Sequence, residues 1–183
     1  MLKIFLPLLL LVAACQNAPT PPTATDPADL VDHTTFADFS LEKAVRAALA
    51  KPRGELLSAE LAALETLDAV QLDIQTLEGI EHLTGLRSLT LGANQIETLS
   101  PLASLTALQF LDLSDNQIKR LDELNQLTRL TTLDLSDNAI ANLQPLRELG
   151  QLTYLDLKDN AISDIGPLTN LRRLRLLNLD NNK

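Results

Sequence analysis

Three kinds of residue in this chain could take part in chemistry: one cysteine, two histidines and a series of evenly spaced aspartates. The histidines, His33 and His82, are far apart in the sequence and predict neither a metal site nor a catalytic triad. The sequence also has no glycine-rich phosphate loop and no Gly-x-Ser-x-Gly nucleophile motif. The carboxylates recur in periodic rows, which is more typical of a solvated face than of an acid-base pair. We therefore predict a protein that is not an enzyme and that uses no cofactor and no metal.

Composition and charge narrow the class of partner. The 183 residues are enough for one domain, since a single core usually spans on the order of 100 to 200 residues. Hydrophobic residues make up 45% of the chain but aromatics only 3%, so leucine must fill the core almost alone, which favours a repeated unit. The net charge of -9, which becomes -10 if the first fourteen residues and their single lysine are removed, would repel phosphate backbones. We therefore expect no nucleic-acid partner, and a basic protein surface or a cation fits the charge better.

The N-terminus has the layout of an export signal. Lys3 precedes an apolar run over residues 4–14, which is too short for a membrane span of roughly 20 apolar residues and predicts a secretory signal peptide over residues 1–14. Small residues followed by cysteine, Val12-Ala13-Ala14-Cys15, resemble the lipobox of bacterial lipoproteins. That resemblance implies cleavage before Cys15, acylation of its thiol with chains such as palmitate, and stable anchoring to a lipid bilayer. A secreted soluble protein with an incidental cysteine is the alternative.

The residues after the cysteine indicate a location within the cell envelope. Lipoproteins with aspartate at this position tend to stay at the inner membrane, whereas this chain has Gln16, so the resemblance implies the outer membrane if the cell is Gram-negative. Residues 15–35 hold four prolines among Thr, Ala and Asp and predict a disordered tether that reaches about 25 Å on average. The folded part is therefore expected to stand off the membrane.

The segment over residues 36–63 is predicted to form a helical cap. Apolar residues follow helical spacing at Leu41, Ala44, Val45, Ala48 and Leu49. Either Asp38 or Ser40 can cap this helix, and a second short helix is expected after Ser58, covering Leu61 and Leu64. Together with Phe36 and Phe39, the two helices would cover the apolar end of the first repeat, which is otherwise open to water.

From residue 64 to residue 183 the chain repeats itself every 22 residues, for about five and a half repeats. Asparagine recurs at Asn94, Asn116, Asn138, Asn160 and Asn182. Leucine recurs at Leu89, Leu111, Leu133, Leu155 and Leu177 and again two residues later, and isoleucine recurs at Ile74, Ile96, Ile118, Ile140 and Ile162. The resulting unit, Leu-x-x-Leu-x-Leu-x-x-Asn-x-Ile, resembles the leucine-rich-repeat signature.

The 22-residue form, with its helical cap and its Ser-Pro-Leu or Gln-Pro-Leu turns, looks like the bacterial internalin-like group. This resemblance implies an α/β solenoid: a right-handed leucine-rich-repeat coil with a parallel concave sheet, an N-terminal helical cap and no evident C-terminal cap. The side chains of Asn94, Asn116, Asn138 and Asn160 are expected to form a structural ladder that satisfies backbone groups where each coil turns. Two departures stand out: Leu72 occupies the position of the first asparagine, and Lys183 falls inside the sixth repeat.

Leucines alternate with polar residues along each expected strand, so one face of the sheet, which we call the open face, is exposed to solvent. Its first column runs Thr66, Ser88, Phe110, Thr132, Tyr154 and Leu176, and its second runs Asp68, Thr90, Asp112, Asp134, Asp156 and Asn178. From these we predict a partner-binding set of Phe110, Tyr154, Asp112, Asp134, Asp156, Thr132, Ser88 and Leu176. Phe110 and Tyr154 are its expected anchors, because aromatics ringed by polar groups are typical of binding sites. The alternative is that they are scattered surface residues without function.

The aspartates of the open face form a separate hypothesis. Adjacent strands lie about 4.8 Å apart, so Asp112, Asp134 and Asp156 would repel one another by roughly 1 kcal/mol per pair even at the dielectric of water. A bound cation, or Lys and Arg side chains of a partner, would relieve this repulsion. Further aspartates lie nearby at Asp115, Asp137 and Asp159. The alternative is that Leu-Asp-Leu-Ser-Asp-Asn is simply a common form of this repeat.

The C-terminal end is a second candidate surface, because Leu174, Leu177 and Leu179 close the stack without a capping segment. We expect either end-to-end self-association or a fraying last repeat in a shortened chain.

The leading functional prediction is a membrane-anchored module that binds a protein through the open face, in adhesion or another envelope interaction. The alternative is a structural envelope scaffold, or a truncated remnant, without a specific ligand.

Overall fold

The computed structural model describes residues 35–183. The expected signal peptide, the lipidation site Cys15 and nearly all of the tether lie outside the described residues. Neither α-helix between residues 35 and 183 has the length and apolar character needed to span a membrane.

The first helix, α1, runs over Phe39–Ala48 and is capped by Asp38. The carboxylate of Asp38 accepts hydrogen bonds from the backbone N–H groups of Ser40 at 2.8 Å and Leu41 at 3.2 Å. Its second oxygen accepts from the backbone N–H of Gln75 at 2.9 Å, which ties the start of the helix to the first repeat. Asp38 is therefore the cap, and Ser40 is one of the residues whose N–H it satisfies.

The cap buries one face of α1 and leaves the other in water. Leu41 and Val45 are fully buried, and Phe36 packs against the same core ahead of the helix. Phe39, in contrast, is 80% exposed, so the expectation that it helps to cover the first repeat is wrong. The reason is helical geometry: Phe39 and Leu41 are two positions apart, which places their side chains about 200° apart around the axis.

The second helix, α2, is a single short segment over Ser58–Ala62. Leu61 is buried on it, as expected. Leu64 follows the helix instead of belonging to it, and packs half-buried against the core at the start of the first repeat. The helix is thus shorter than the sequence pattern suggests.

Six strands of three residues each form one parallel sheet, in the order in which they occur along the chain. The strands are β1 Thr66–Asp68, β2 Ser88–Thr90, β3 Phe110–Asp112, β4 Thr132–Asp134, β5 Tyr154–Asp156 and β6 Leu176–Asn178. Each residue pairs with the residue 22 positions later, as Leu111 does with Leu133. A constant repeat length therefore fixes the register of the whole sheet.

The core lies behind this sheet and consists almost entirely of leucine and isoleucine. The central strand residues Leu89, Leu111, Leu133 and Leu155 are fully buried, as are the isoleucines of the first four repeats. The chain returns behind the core through short 3-10 turns at Ile80–His82, Ser100–Ser104, Asp122–Gln126, Gln144–Glu148 and Gly166–Asn170. Pro101, Pro145 and Pro167 each lie in the first two positions of a turn, where no N–H is required for the ladder.

Asparagine side chains join each coil to the one before it. The amide oxygen of Asn116 accepts from the backbone N–H of Ile96 at 3.0 Å. Its amide nitrogen donates to the carbonyl oxygens of Leu91 at 3.0 Å and Leu113 at 3.2 Å, and to that of Ser114 at 2.9 Å. The same pattern recurs at Asn94, Asn138, Asn160 and Asn182. At the first repeat, where leucine replaces asparagine, the backbone N–H of Leu72 donates to the side chain of Asn94 at 3.1 Å.

The last strand is packed less tightly than the others. Leu176 is 63% exposed and Leu177 40% exposed, although Leu177 occupies the column that is fully buried from β2 to β5. Leu174 and Leu179 pack half-buried against the core. The β6 end of the described residues therefore presents an apolar surface to solvent.

Candidate recognition surface

The open face is built from the first and third residue of every strand. Because the strands are parallel and in register, the first residues form one straight column and the third residues form another. The first column runs Thr66, Ser88, Phe110, Thr132, Tyr154 and Leu176, and the second runs Asp68, Thr90, Asp112, Asp134, Asp156 and Asn178. Every side chain of the two columns is partly or fully exposed, so the face is accessible along its length.

Two aromatic side chains stand in the first column, on β3 and β5. Phe110 is 38% exposed, and Tyr154 is half-buried. Thr132 lies between them on β4, so the α-carbons of Phe110 and Tyr154 are separated by two strand spacings, or about 10 Å. Leu176 extends the column on β6. The structure thus brings an apolar row of Phe110, Tyr154 and Leu176 together on the C-terminal half of the open face.

Tyr154 is held in place by its neighbour in the second column. Its hydroxyl donates to the carboxylate of Asp156 at 3.2 Å. Partial burial raises the pKa of the phenol, and the nearby carboxylates of Asp156, Asp134 and Asp112 raise it further. The ring is therefore an oriented, uncharged side chain in a negative environment.

The three aspartates of β3, β4 and β5 also have structural roles. Asp112 accepts from the backbone N–H of Ser114 at 2.9 Å and from its hydroxyl at 2.7 Å. Asp134 makes the same pair of bonds to Ser136, at 3.0 and 2.6 Å. Such side-chain bonds two residues ahead stabilise the turn that follows each strand. Asp156 accepts from the backbone N–H of Lys158 at 2.9 Å. One oxygen of each of the three carboxylates is thus committed to the fold, which supports the interpretation of this motif as a common form of the repeat.

The row of carboxylates nevertheless creates a negative potential on the open face. Burial raises the pKa of Asp134, against the hydrogen bonds from Ser136, and the charges of Asp112 and Asp156 raise it further. The pKa of Lys158 is raised by its bond to Asp159 and by the charges of Asp159, Asp137 and Asp156. The contributions of the neighbouring carboxylates to both shifts have the direction expected of a negative potential, whereas the larger effect of burial on Asp134 is independent of that potential.

The neighbouring aspartates are explained by the backbone. Asp115, Asp137 and Asp159 adopt φ values of 50, 53 and 52°, in the left-handed region. Aspartate and asparagine tolerate this conformation better than most residues, because their short polar side chains can bond to the local backbone. The same position in the second repeat holds Ala93, at a φ of 55°. These three aspartates are therefore selected by the turn, a role that the sequence analysis did not identify.

The structure also shows a charge pattern that the sequence analysis missed. In the four positions ahead of each strand, which we call the amino edge, the charged residues are Glu65, Arg87, Arg129, Arg172, Arg173 and Arg175. In the third strand residue and the three positions after it, which we call the carboxyl edge, they are Asp68, Asp112, Asp115, Asp134, Asp137, Asp156, Lys158, Asp159 and Asp180. The amino edge thus has five arginines and one glutamate, whereas the carboxyl edge has eight aspartates and one lysine. Sorting the charges by their position in the 22-residue repeat would have revealed this.

A groove of about 560 Å³ lies at the N-terminal end of the open face. It runs between α1 and the first strand, and Lys43, Ala47, Thr66, Asp68 and Leu72 are among its lining residues.

No group of three or more His, Cys, Asp or Glu side chains in residues 35–183 is arranged to hold a metal ion.

A stack of coils of one length, joined by asparagine side chains and displaying one open sheet face, defines a solenoid repeat protein. Two family models match the chain: the model described as leucine rich repeats in two copies over residues 106–148, and the model described as leucine rich repeat over residues 128–183. No curated protein sequence matches the chain.

Solved structures extend the likeness over a larger share of the chain. Internalin C2 from Listeria monocytogenes is 34% identical over 81% of this chain and 76% of its own, with a TM-score of 0.63. Internalin F from the same organism is 28% identical over 86% of this chain and 54% of its own, with a TM-score of 0.71. The plant peptide hormone receptor RGFR1 in complex with RGF2 is 31% identical over 57% of this chain and 18% of its own, with a TM-score of 0.53. The chain belongs to the leucine-rich-repeat family, in its internalin-like form, whose members are binding scaffolds and not enzymes.

Proposed function

We propose that the protein binds a protein partner through the C-terminal half of its open face, with Phe110 and Tyr154 as the anchors. Leucine-rich-repeat proteins commonly mediate interactions between proteins. The observation that carries the proposal is the apolar row of Phe110, Tyr154 and Leu176 on a face that is otherwise polar.

The rigid strands that carry the two aromatic side chains favour their role as binding anchors. Phe110 and Tyr154 project from strands that pair on both sides, and the tyrosine hydroxyl is already bonded to Asp156. Side chains that are ordered before binding lose little conformational entropy when a partner covers them. Aromatic residues with few rotatable bonds therefore give more affinity per contact than flexible ones.

Replacing both aromatics, with Phe110→Ala and Tyr154→Ala, is expected to weaken partner binding by more than about tenfold, because a buried aromatic anchor usually contributes over 1 kcal/mol. The partner would be captured by crosslinking on intact cells that carry the full-length protein, and its affinity for the variants would then be measured by titration. Phe39→Ala is the matched control, since this ring is also exposed but lies on α1, away from the apolar row. Its affinity should equal that of the unaltered protein.

The crosslinking experiment also separates the alternatives. Equal binding by the double variant and the unaltered protein would remove the open-face aromatics as anchors. Capture of a second copy of the chain would support end-to-end association through the exposed leucines of β6 instead. Recovery of no partner at all would favour a structural scaffold in the envelope.

We also propose that the protein is a lipoprotein of the cell envelope, anchored through Cys15 and placed at the outer membrane in a Gram-negative cell. The support is the sequence Val12-Ala13-Ala14-Cys15 after an apolar run, with Gln16 following it. An anchored solenoid would display its open face to partners in the envelope or on a neighbouring cell, which is the basis for proposing an adhesive role.

Cys15→Ser is expected to move the protein from the membrane fraction to the soluble fraction and to abolish incorporation of labelled palmitate. Asn17→Ala, two residues away, is the control and should leave both measurements unchanged. Retention of the serine variant in the membrane fraction would contradict lipid anchoring through this residue.

A further inference from the structure

The two edges of the open face carry opposite charge, and much of that charge is unpaired. Arg129, Arg172 and Arg175 on the amino edge form no ion pair with another residue in the described part of the chain. Asp112 and Asp134 on the carboxyl edge likewise have no cationic partner among residues 35–183. Unpaired charges of one sign in a row repel each other, and opposite charges supplied by a partner would lower this energy.

The apolar row lies between these two edges. Phe110 and Asp112 are the first and third residues of one strand and point to the same side, so their α-carbons are about 6.6 Å apart. Tyr154 and Asp156 repeat this arrangement on β5. A basic side chain placed beside the carboxylates would therefore also lie near an aromatic ring, within the range at which cations and rings attract.

The chain itself shows that a cation is stabilised at the carboxyl edge. The ammonium group of Lys158 lies 2.9 Å from the carboxylate of Asp159. Lys158 lies two residues after the end of β5, on the carboxyl edge. The charges of Asp137 and Asp156 also raise the pKa of its ammonium group. After β3 and β4 the equivalent positions hold Ser114 and Ser136, so among residues 35–183 no lysine occupies this repeat position there.

We infer that the open face selects a partner segment with ordered charge: basic side chains over Asp112, Asp134 and Asp156, apolar side chains over Phe110 and Tyr154, and acidic side chains toward the arginines of the amino edge. This inference rests on the proposed function and specifies the chemistry of the partner. The occupant is a protein segment lying along the strand direction. Its basic and acidic groups are separated by on the order of 10 to 15 Å, or about four extended residues.

The test uses two synthetic fluorescent peptides of equal composition and zero net charge. The ordered peptide has two arginines, three leucines and two glutamates in that sequence, and the mixed peptide has the same residues with arginine and glutamate alternating around the leucines. Fluorescence anisotropy with the full chain at low salt should give an affinity for the ordered peptide at least about tenfold higher than for the mixed one. Because neither peptide has net charge, general attraction to an acidic protein does not produce this difference.

The triple variant Asp112→Asn, Asp134→Asn and Asp156→Asn should remove the preference for the ordered peptide. Asparagine keeps a side-chain oxygen that can accept from the backbone N–H groups of Ser114, Ser136 and Lys158, so the turns after the strands are retained. The matched control, Asp122→Asn, Glu123→Gln and Glu148→Gln, makes the same change in net charge on the 3-10 turns behind the core. It should leave the preference intact.

The outcomes distinguish this inference from the proposed function. Equal affinity for both peptides, or equal loss of preference in the two triple variants, would overturn the ordered-charge inference. The proposed function would then still stand if Phe110→Ala with Tyr154→Ala released the captured partner. Conversely, a partner that is unaffected by those two changes would overturn the proposed function, whatever the peptides do.

Discussion

Replacing Leu133 with alanine is expected to lower the free energy of unfolding by about 3 to 5 kcal/mol. Leu133 is fully buried at the centre of β4, and the leucines that pair with it in register, Leu111 and Leu155, are fully buried on either side. The neighbouring side chains are fixed by the repeat and cannot collapse freely into the space left by the lost methyl groups, so a cavity remains. Urea unfolding followed by circular dichroism would measure the loss.

The chain contains a matched control for this experiment in the same column. Leu177 occupies the equivalent position on β6 but is 40% exposed, and among residues 35–183 its strand pairs on one side only. Leu177→Ala should therefore cost less than about 1 kcal/mol. Equal losses at the two positions would show that the coils are not supported by their neighbours in the way that the parallel stack implies.

Replacing Asn116 with alanine is expected to lower the free energy of unfolding by about 3 kcal/mol. The amide of Asn116 satisfies the N–H of Ile96 and three carbonyl oxygens, on two successive coils. Alanine would leave these buried groups without the bonds, and each unsatisfied group costs about 1 to 3 kcal/mol, less where water can enter. The same urea titration measures the effect, and amide hydrogen exchange at Ile96 should accelerate in the variant.

Asn125→Ala is the control for the loss of an asparagine side chain. Asn125 is exposed on a 3-10 turn, and the contact of its side chain is a bond from Gln126. Its replacement should change the free energy of unfolding by no more than about 0.5 kcal/mol. If Asn116→Ala were as mild as this control, the asparagine ladder would not contribute to holding the coils together.

The repeated part of the fold could be predicted from the sequence in detail. A spacing of 22 residues between equivalent leucines specifies which residues pair, so the register of all six strands follows from subtraction, and the predicted leucine-rich solenoid with a parallel sheet is confirmed. The identity of both columns on the open face follows for the same reason. Each strand position occurs six times, so an accidental match in one repeat does not mislead.

The cap and the turns could be predicted less well, because they lack this redundancy. Phe39 occurs once, and its apolar character alone suggested burial, whereas the helix phase set by Leu41 and Val45 places it in water. The left-handed backbone at Asp115 depends on φ, which the spacing of apolar residues does not report. The opposite charges of the two edges, in contrast, were present in the repeat pattern and could have been found by sorting the charged residues by repeat position.

The uniform register has a consequence for how such a chain can change in length. Every coil meets its neighbours through the same contacts: a three-residue strand, a buried leucine column and one asparagine bridge. Removal or duplication of one whole unit in the DNA would join equivalent positions and leave all the remaining junctions intact. Recombination within the coding sequence can therefore widen or narrow the area available to a partner without a new fold having to evolve.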